Sequence, residues 1–163
     1  MSDMPERTNI VKPRTFLGFD YGLKRIGVAA GQNLTATTTP LEAVRATDGT
    51  PNWEAISRLI ETWCPDALIV GIPYHMDGAE HDMTCAARRF GNRLRERYRL
   101  PVFLVDERLS SVAAEEMLGA PKKRRAKTGK QTVDTVAAQI ILQTWFAEQQ
   151  ASHPEAHDND PTS

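Results

Sequence analysis

Three carboxylates occupy positions that ordinary surface chemistry explains poorly. Asp20 closes the apolar run Phe16-Leu17-Gly18-Phe19, where Asp has poor strand propensity and a buried carboxylate without a partner is costly. Glu107 stands just past the apolar run Val102 to Val105, at the carboxyl end of an expected strand, and ligands of open α/β sheets gather at such ends. Asp134 falls in the first turn of an expected helix, in line with Ala137, Ala138, Ile141 and Trp145 on a largely apolar face. Each has a bland reading: a turn residue, a strand-end charge, a partner of the helix dipole. Brought together from separate elements at one sheet edge, they would repel one another and raise their own pKa values unless a cation were bound. Hard oxygen ligands with room for water and phosphate select Mg²⁺ or Mn²⁺ over zinc. In a two-metal form, with ions roughly 3.5–4 Å apart, such a site suits in-line displacement at a phosphodiester.

The elements that must position these residues can be read from hydrophobic period. Thr15 to Asp20 and Arg25 to Ala30 are two extended segments joined by Tyr21-Gly22-Leu23-Lys24, the pattern of a hairpin. The Thr-rich stretch Thr35 to Ala46 predicts a third antiparallel strand beside the second. From Asn52 the period turns helical, with Trp53, Ile56, Leu59, Ile60 and Trp63 on one face before Pro65. Ala67 to Gly71 is a short unbroken apolar run, the mark of a buried parallel strand. A loop, IPYHMDGAE, leads to a helix over about Asp82 to Tyr98, and Val102 to Val105 is a second buried strand. Ser110 or Ser111 can cap a short helix through Leu118, and a final helix is expected over about Thr132 to Glu148. Three antiparallel strands followed by helix-strand units predict a mixed sheet flanked by helices. A doubly wound Rossmann arrangement fits less well, because it opens with a crossover helix where this chain has a hairpin.

Bulk properties bound the rest. A chain of 163 residues suits one domain with a proper core. The expected organisation is a flexible arm over 1–14, one domain over 15–148 and a disordered tail over 149–163, whose Asn, Asp, His, Pro and Ser give it little to bury. The N-terminus carries charge and proline where a secretory signal needs an apolar run, and no apolar stretch is long enough to span a bilayer. A cytoplasmic protein with no membrane partner, monomeric or weakly dimeric, is therefore expected. Cys64 and Cys85 belong to no metal-ligand spacing and are read as reduced. His75 and His81 flank a Gly-containing loop, and His153 and His157 lie in the polar tail, so a zinc site is not expected.

Overall charge is near balance, with 20 Lys or Arg against 21 Asp or Glu, but its distribution is uneven. Between Thr84 and Lys130 there are 13 Lys or Arg against 5 Asp or Glu. Much of that excess is the run Lys122, Lys123, Arg124, Arg125, Lys127 and Lys130, just ahead of Asp134. So dense a set repels itself unless an anion lies near, and it predicts a nucleic-acid backbone contact. Arg88, Arg89, Arg93, Arg95, Arg97 and Arg99 decorate the second helix, where a solvated face explains most of them. Gly18, Gly22 and Gly27 either bend the hairpin or admit a ligand, and Gly71 and Gly78 frame the loop beside the expected site.

The segments FLGFDYGLKRIGVA, LIVGIPYHMDG, VFLVDERLSS and VDTVAAQIIL, in that order, resemble the YqgF-type family, described as Holliday junction resolvases and pre-16S ribosomal RNA nucleases. The likeness runs from about Phe16 to Leu142. It implies a ribonuclease H-like fold, with Asp20, Glu107 and Asp134 at the family's acidic, metal-holding positions. Asp106 belongs to the same motif, although alternation points it away from Glu107. Two departures stand out: Leu23 follows Gly22 where a small hydroxyl residue is frequent, and Thr135 follows Asp134 where serine is usual. The implied activity is metal-dependent phosphodiester hydrolysis, in 5′-end maturation of precursor 16S ribosomal RNA or on four-way DNA. A phosphate- or nucleotide-binding module is the rival from another class, since the FDYG hairpin also resembles the first phosphate loop of actin-like and sugar-kinase folds. Those folds clamp a nucleotide between two such domains, and a second hairpin of that kind is not visible here. A non-catalytic RNA-binding protein on the same fold is disfavoured by the intact acidic trio.

Overall fold

The computed structural model describes residues 14–108 and 133–152. The hairpin forms as expected: β1 (Thr15–Asp20) and β2 (Arg25–Gln32) pair antiparallel, from Thr15 opposite Gln32 to Asp20 opposite Gly27. The third strand, β3 (Thr37–Thr47), starts two residues later than expected, because Ala36 takes a left-handed φ of 54° that ends the extended run. Opposite Gly27 the β2–β3 register shifts: Ile26 faces Val44 and Val28 faces Leu41, so β3 carries an extra residue there. A two-residue strand, β4 (Thr50–Pro51), folds back on β3 through Asp48 and Gly49, both at positive φ. It is absent from the expected element order, although an Asp-Gly pair is a strong hairpin signal.

Helix α1 (Trp53–Trp63) starts at Asn52, whose side chain accepts from the Ala55 backbone N–H, and stops at Cys64 in the left-handed region. β5 (Ala67–Ile72) is buried at every residue, as a central parallel strand should be. α2 (Asp82–Tyr98) is capped by His81 in a reciprocal arrangement with Thr84, and β6 (Val102–Asp106) follows. The last described helix, α3 (Val133–Ser152), continues past Glu148, so residues 149–152 belong to the helix and not to the tail. Ser110, Ser111 and the short helix expected after them lie outside the described residues, as does the cationic run from Lys122 to Lys130.

The sheet order is β4-β3-β2-β1-β5-β6, with β1–β5 and β5–β6 parallel and the other pairs antiparallel. Alternation along the strands divides the apolar residues between two faces. Leu17, Phe19, Ile26, Val28, Leu68, Val70 and Ile72 pack with Ile56 of α1 and with Ala87, Phe90 and Leu94 of α2. Phe16, Ala29, Ala67, Ile69 and Val105 pack with Ala138, Ile141, Leu142 and Phe146 of α3. Among the described residues no helix is long and apolar enough to cross a membrane. Both cysteines are free thiols at exposed positions.

Candidate active site

The same alternation decides which side of the sheet each acidic residue serves. On β1, Phe16 belongs to the α3 face, and residues two and four further on, Gly18 and Asp20, share it. On β5, Ala67 and Ile69 face α3, which puts Gly71 there as well. On β6, Val105 faces α3 and Glu107 follows in the same phase. Phe19 pairs with Val70, and Gly71 with Val105, so Asp20, Gly71 and Glu107 lie side by side at the carboxyl edge of three adjacent parallel strands.

Gly71 is the space between the two acids. A methyl group there would come 2.7 Å from Glu107 Oε2 and 2.4 Å from Ile141 Cδ1. The absence of a side chain lets the half-buried Glu107 carboxyl lie over the strand and hydrogen-bond the Asp20 side chain. Burial is the largest influence on Glu107 and pushes its pKa up; the Asp20 hydrogen bond works the other way, and the Asp106 charge adds to the rise. Two carboxyl groups can share a direct hydrogen bond only while a proton lies between them.

Asp106 points to the opposite face, as alternation predicts, and has a structural task. The Arg108 guanidinium donates to both its oxygens, with Nη2 to Oδ2 at 2.6 Å, and the Arg108 backbone N–H donates to Oδ1 at 2.9 Å. The hydrogen-bonded guanidinium holds the Asp106 carboxyl below the usual range. Arg108 also lies over the Tyr74 ring, 5.4 Å from its centroid. Tyr74 accepts from Arg88 Nη2 at 3.1 Å. The loop after β5 is further closed by its own bonds, His75 N–H to Ala79 O at 2.9 Å and Ala79 N–H to Asp77 Oδ1 at 2.9 Å. Glu107 is thus flanked by a tied pair, Asp106 and Arg108, which braces it against an organised loop.

Helix α3 reaches this edge by close packing. A methyl group on Gly18 would meet Leu142 Cγ at 2.6 Å and Ala138 O at 3.1 Å. Small residues on both sides, Gly18 on the strand and Ala138 on the helix, let α3 approach the sheet closely. One polar ridge pins α3 along β3: Thr135 Oγ1 donates to Leu41 O (3.3 Å), Gln139 Nε2 to Thr38 Oγ1 (3.0 Å) and Gln143 Nε2 to Ala36 O (3.2 Å). Leu41 lies level with Val28, and Val28 with Phe19, so the start of α3, including the backbone of Asp134, stands at the sheet end that carries Asp20. The Asp134 side chain lies outside the described residues. Among the described residues no cluster of three or more His, Cys, Asp or Glu side chains forms. On the α2 side of the edge, Tyr21, Gly49, Arg89, Phe90 and Arg93 line a cleft of about 260 Å³. Of the second-helix arginines, Arg97 stacks on Trp53 at 4.1 Å and Arg95 bonds Asn92 and the Val102 carbonyl.

A mixed sheet of this order, flanked by helices on both faces, is that of the ribonuclease H-like fold. Solved structures share the fold: RuvC of Thermus thermophilus in complex with Holliday junction substrate (TM-score 0.53, 16% identity, 85% of this chain and 97% of that one). The yeast mitochondrial Holliday junction resolvase Ydc2 is similar at TM-score 0.51 and 10% identity, over 90% of this chain and 84% of that one. Residues 14–148 match the model of the RuvX family, described as Holliday junction resolvase, and the chain belongs to that family. Relatives provisionally named pre-16S rRNA nuclease are 53% identical in Nitrosococcus oceani, over 85% of this chain and 90% of the relative, and 47% identical in Shewanella oneidensis, over 82% and 94%. The protein is accordingly a hydrolase of phosphodiester bonds.

Proposed function

We propose that the chain cleaves precursor 16S ribosomal RNA in the maturation of its 5′ end, through divalent metal held by Asp20, Glu107 and Asp134. The observation that carries this reading is the Asp20–Glu107 carboxyl pair, meeting over Gly71 on the face that α3 covers. The donor set fits Mg²⁺ or Mn²⁺: oxygen ligands alone, with the Asp20 and Glu107 carboxyls converged and the backbone of Asp134 at the helix start on the same sheet end. Such a metal, when bound, would activate water and steady the leaving oxygen of the phosphodiester. The chain's own residues do the rest. Gly71 leaves room for the carboxylates to converge, Asp106 and Arg108 fix the backbone on which Glu107 stands, and the Thr135, Gln139 and Gln143 bonds hold α3 in register. Lys122, Lys123, Arg124, Arg125, Lys127 and Lys130 are assigned to the substrate backbone, where they would neutralise phosphates next to the site.

Precursor ribosomal RNA is preferred because relatives at about half identity over most of their length carry that name. The resolvase structures, at 10–16% identity, speak to the fold alone. Four-way DNA is the second reading, favoured by the family description. Purified protein with Mg²⁺ or Mn²⁺ on a precursor 16S transcript and on an immobile four-way junction separates them. Specific 5′ cleavage of the transcript is expected, and cleavage confined to the junction would reverse the assignment.

A further inference from the structure

On the α3 face, beyond the acidic pair, an open cleft of about 550 Å³ runs between the β1–β2 turn, β3 and the first described side chain of α3. Its lining includes Lys24, Arg25, Arg45 and Thr135, with Glu42 the sole carboxylate among the described lining residues. Register explains how the cations come together. Arg25 and Arg45 are direct cross-strand partners, so both side chains leave the same face of the sheet, and both residues are exposed. Lys24, next in the chain, adds a third charge, and the β3 backbone is tied to this turn by the bond from Ala46 N–H to Lys24 O at 2.9 Å.

The cleft is aligned with the carboxylates. Asp20 lies opposite Gly27, and Arg25 is two residues from Gly27 along β2 on the same face. Diagonal neighbours of this kind are about 7–8 Å apart. Gly27 puts no side chain in between. At the other wall stands Thr135, the residue after Asp134, its hydroxyl turned to the Leu41 carbonyl. A chain of phosphates with one member at the acids would therefore pass its next members along Arg25, Arg45 and Lys24.

We propose that Lys24, Arg25 and Arg45 form a phosphate-binding subsite that grips the substrate backbone beside the scissile bond. This deepens the nuclease reading and rests on it. Two guanidinium groups leaving one face of an antiparallel pair can hold a phosphodiester between them through charge-assisted hydrogen bonds. Its residues are other than those of the Lys122 to Lys130 run.

The test is the salt dependence of binding, read by fluorescence anisotropy in EDTA with a labelled RNA spanning the 5′ junction of precursor 16S ribosomal RNA. Removing a cation that neutralises one phosphate flattens the slope of log affinity against log salt by about 0.7 for a single strand. The combined variant Lys24→Gln, Arg25→Gln, Arg45→Gln should lose about 2 from that slope. Arg45→Glu supplies a readout that a merely structural role would not give. It reverses the charge at an exposed position, so the melting temperature should hold while affinity falls about tenfold or more near 100 mM salt. If the combined variant melts early, Arg45→Gln and Arg45→Glu decide alone. Unchanged slopes in folded variants, with wild-type binding and metal-dependent cleavage intact, would overturn the subsite and leave the nuclease reading standing. A wild-type protein that neither binds nor cleaves the RNA or a four-way junction would overturn both.

Discussion

Glu107 and Asp20 set opposing demands on one small volume, and their proton makes this measurable. Burial keeps Glu107 protonated to higher pH in the folded chain than in the unfolded one. The unfolded state therefore releases its proton first as pH rises, and the stability contributed by the protonated group, full below the ordinary Glu range, is lost as pH climbs through the folded value. Glu107→Gln removes that titration. In EDTA the variant should unfold at higher urea than wild type at neutral pH, with the gap closing at about pH 3.5; a variant less stable than wild type at neutral pH would show that the carboxyl is not strained there. Its cleavage should nevertheless fall by on the order of 10³-fold, as should that of Asp20→Asn, and the double variant should lose little more because the acids act as a unit. Gly71→Ala separates space from charge. Its methyl would crowd Ile141 and Glu107, at a cost of about 1–3 kcal/mol in stability. Activity should drop with all three acids present, and a Gly71→Ala protein with wild-type turnover and stability would reject the claim that this gap shapes the pair.

Helix α3 is held to the sheet by two devices of different legibility. The apolar ridge of Ala138, Ile141 and Trp145 could be read from helical period, and so could the position of Asp134 at its start. The counterpart on the sheet could not. Gly18 looks like a hairpin glycine in the sequence, yet its role is to let Leu142 and the Ala138 carbonyl come close, a contact between residues distant in the chain. The polar ridge is equally long-range: Gln139 is nearly buried and reaches Thr38, and nothing local in the sequence marks it. Strand alternation sorts Asp106 and Glu107 correctly, whereas the Arg108 bond and the Tyr74 contact depend on the folded geometry. Among missed elements, β4 had a local signal in Asp48-Gly49, and Lys24, Arg25 and Arg45 had none until the register paired them. Replacing Gln139 with Leu tests the anchor. Loss of its bond to Thr38 should cost about 1 kcal/mol, seen as a shift in the urea midpoint. It should lower kcat more than it raises KM, since the start of α3 would be less firmly placed. A stability loss with kcat unchanged would confine Gln139 to the fold.

At the scale of the whole molecule, the proposed cation site ties metal binding to folding, because the three acidic positions come from β1, from the segment after β6 and from α3, elements that meet only in the finished sheet. The unfolded chain has no such site, so a bound cation favours the folded state by RT ln(1 + [L]/Kd), about 2.7 kcal/mol at a hundredfold excess over Kd. Mg²⁺ or Mn²⁺ should therefore raise the melting temperature of wild type, and EDTA should reverse the shift. Asp20→Asn should respond far less, although its metal-free melting temperature should equal or exceed that of wild type through relief of the crowded acids. Ca²⁺, with its looser coordination, should stabilise without supporting turnover. These measurements need no knowledge of the natural substrate. An equal thermal shift in wild type and Asp20→Asn would place the cation elsewhere on the molecule, and undiminished cleavage in excess EDTA would reject metal-dependent hydrolysis at these carboxylates.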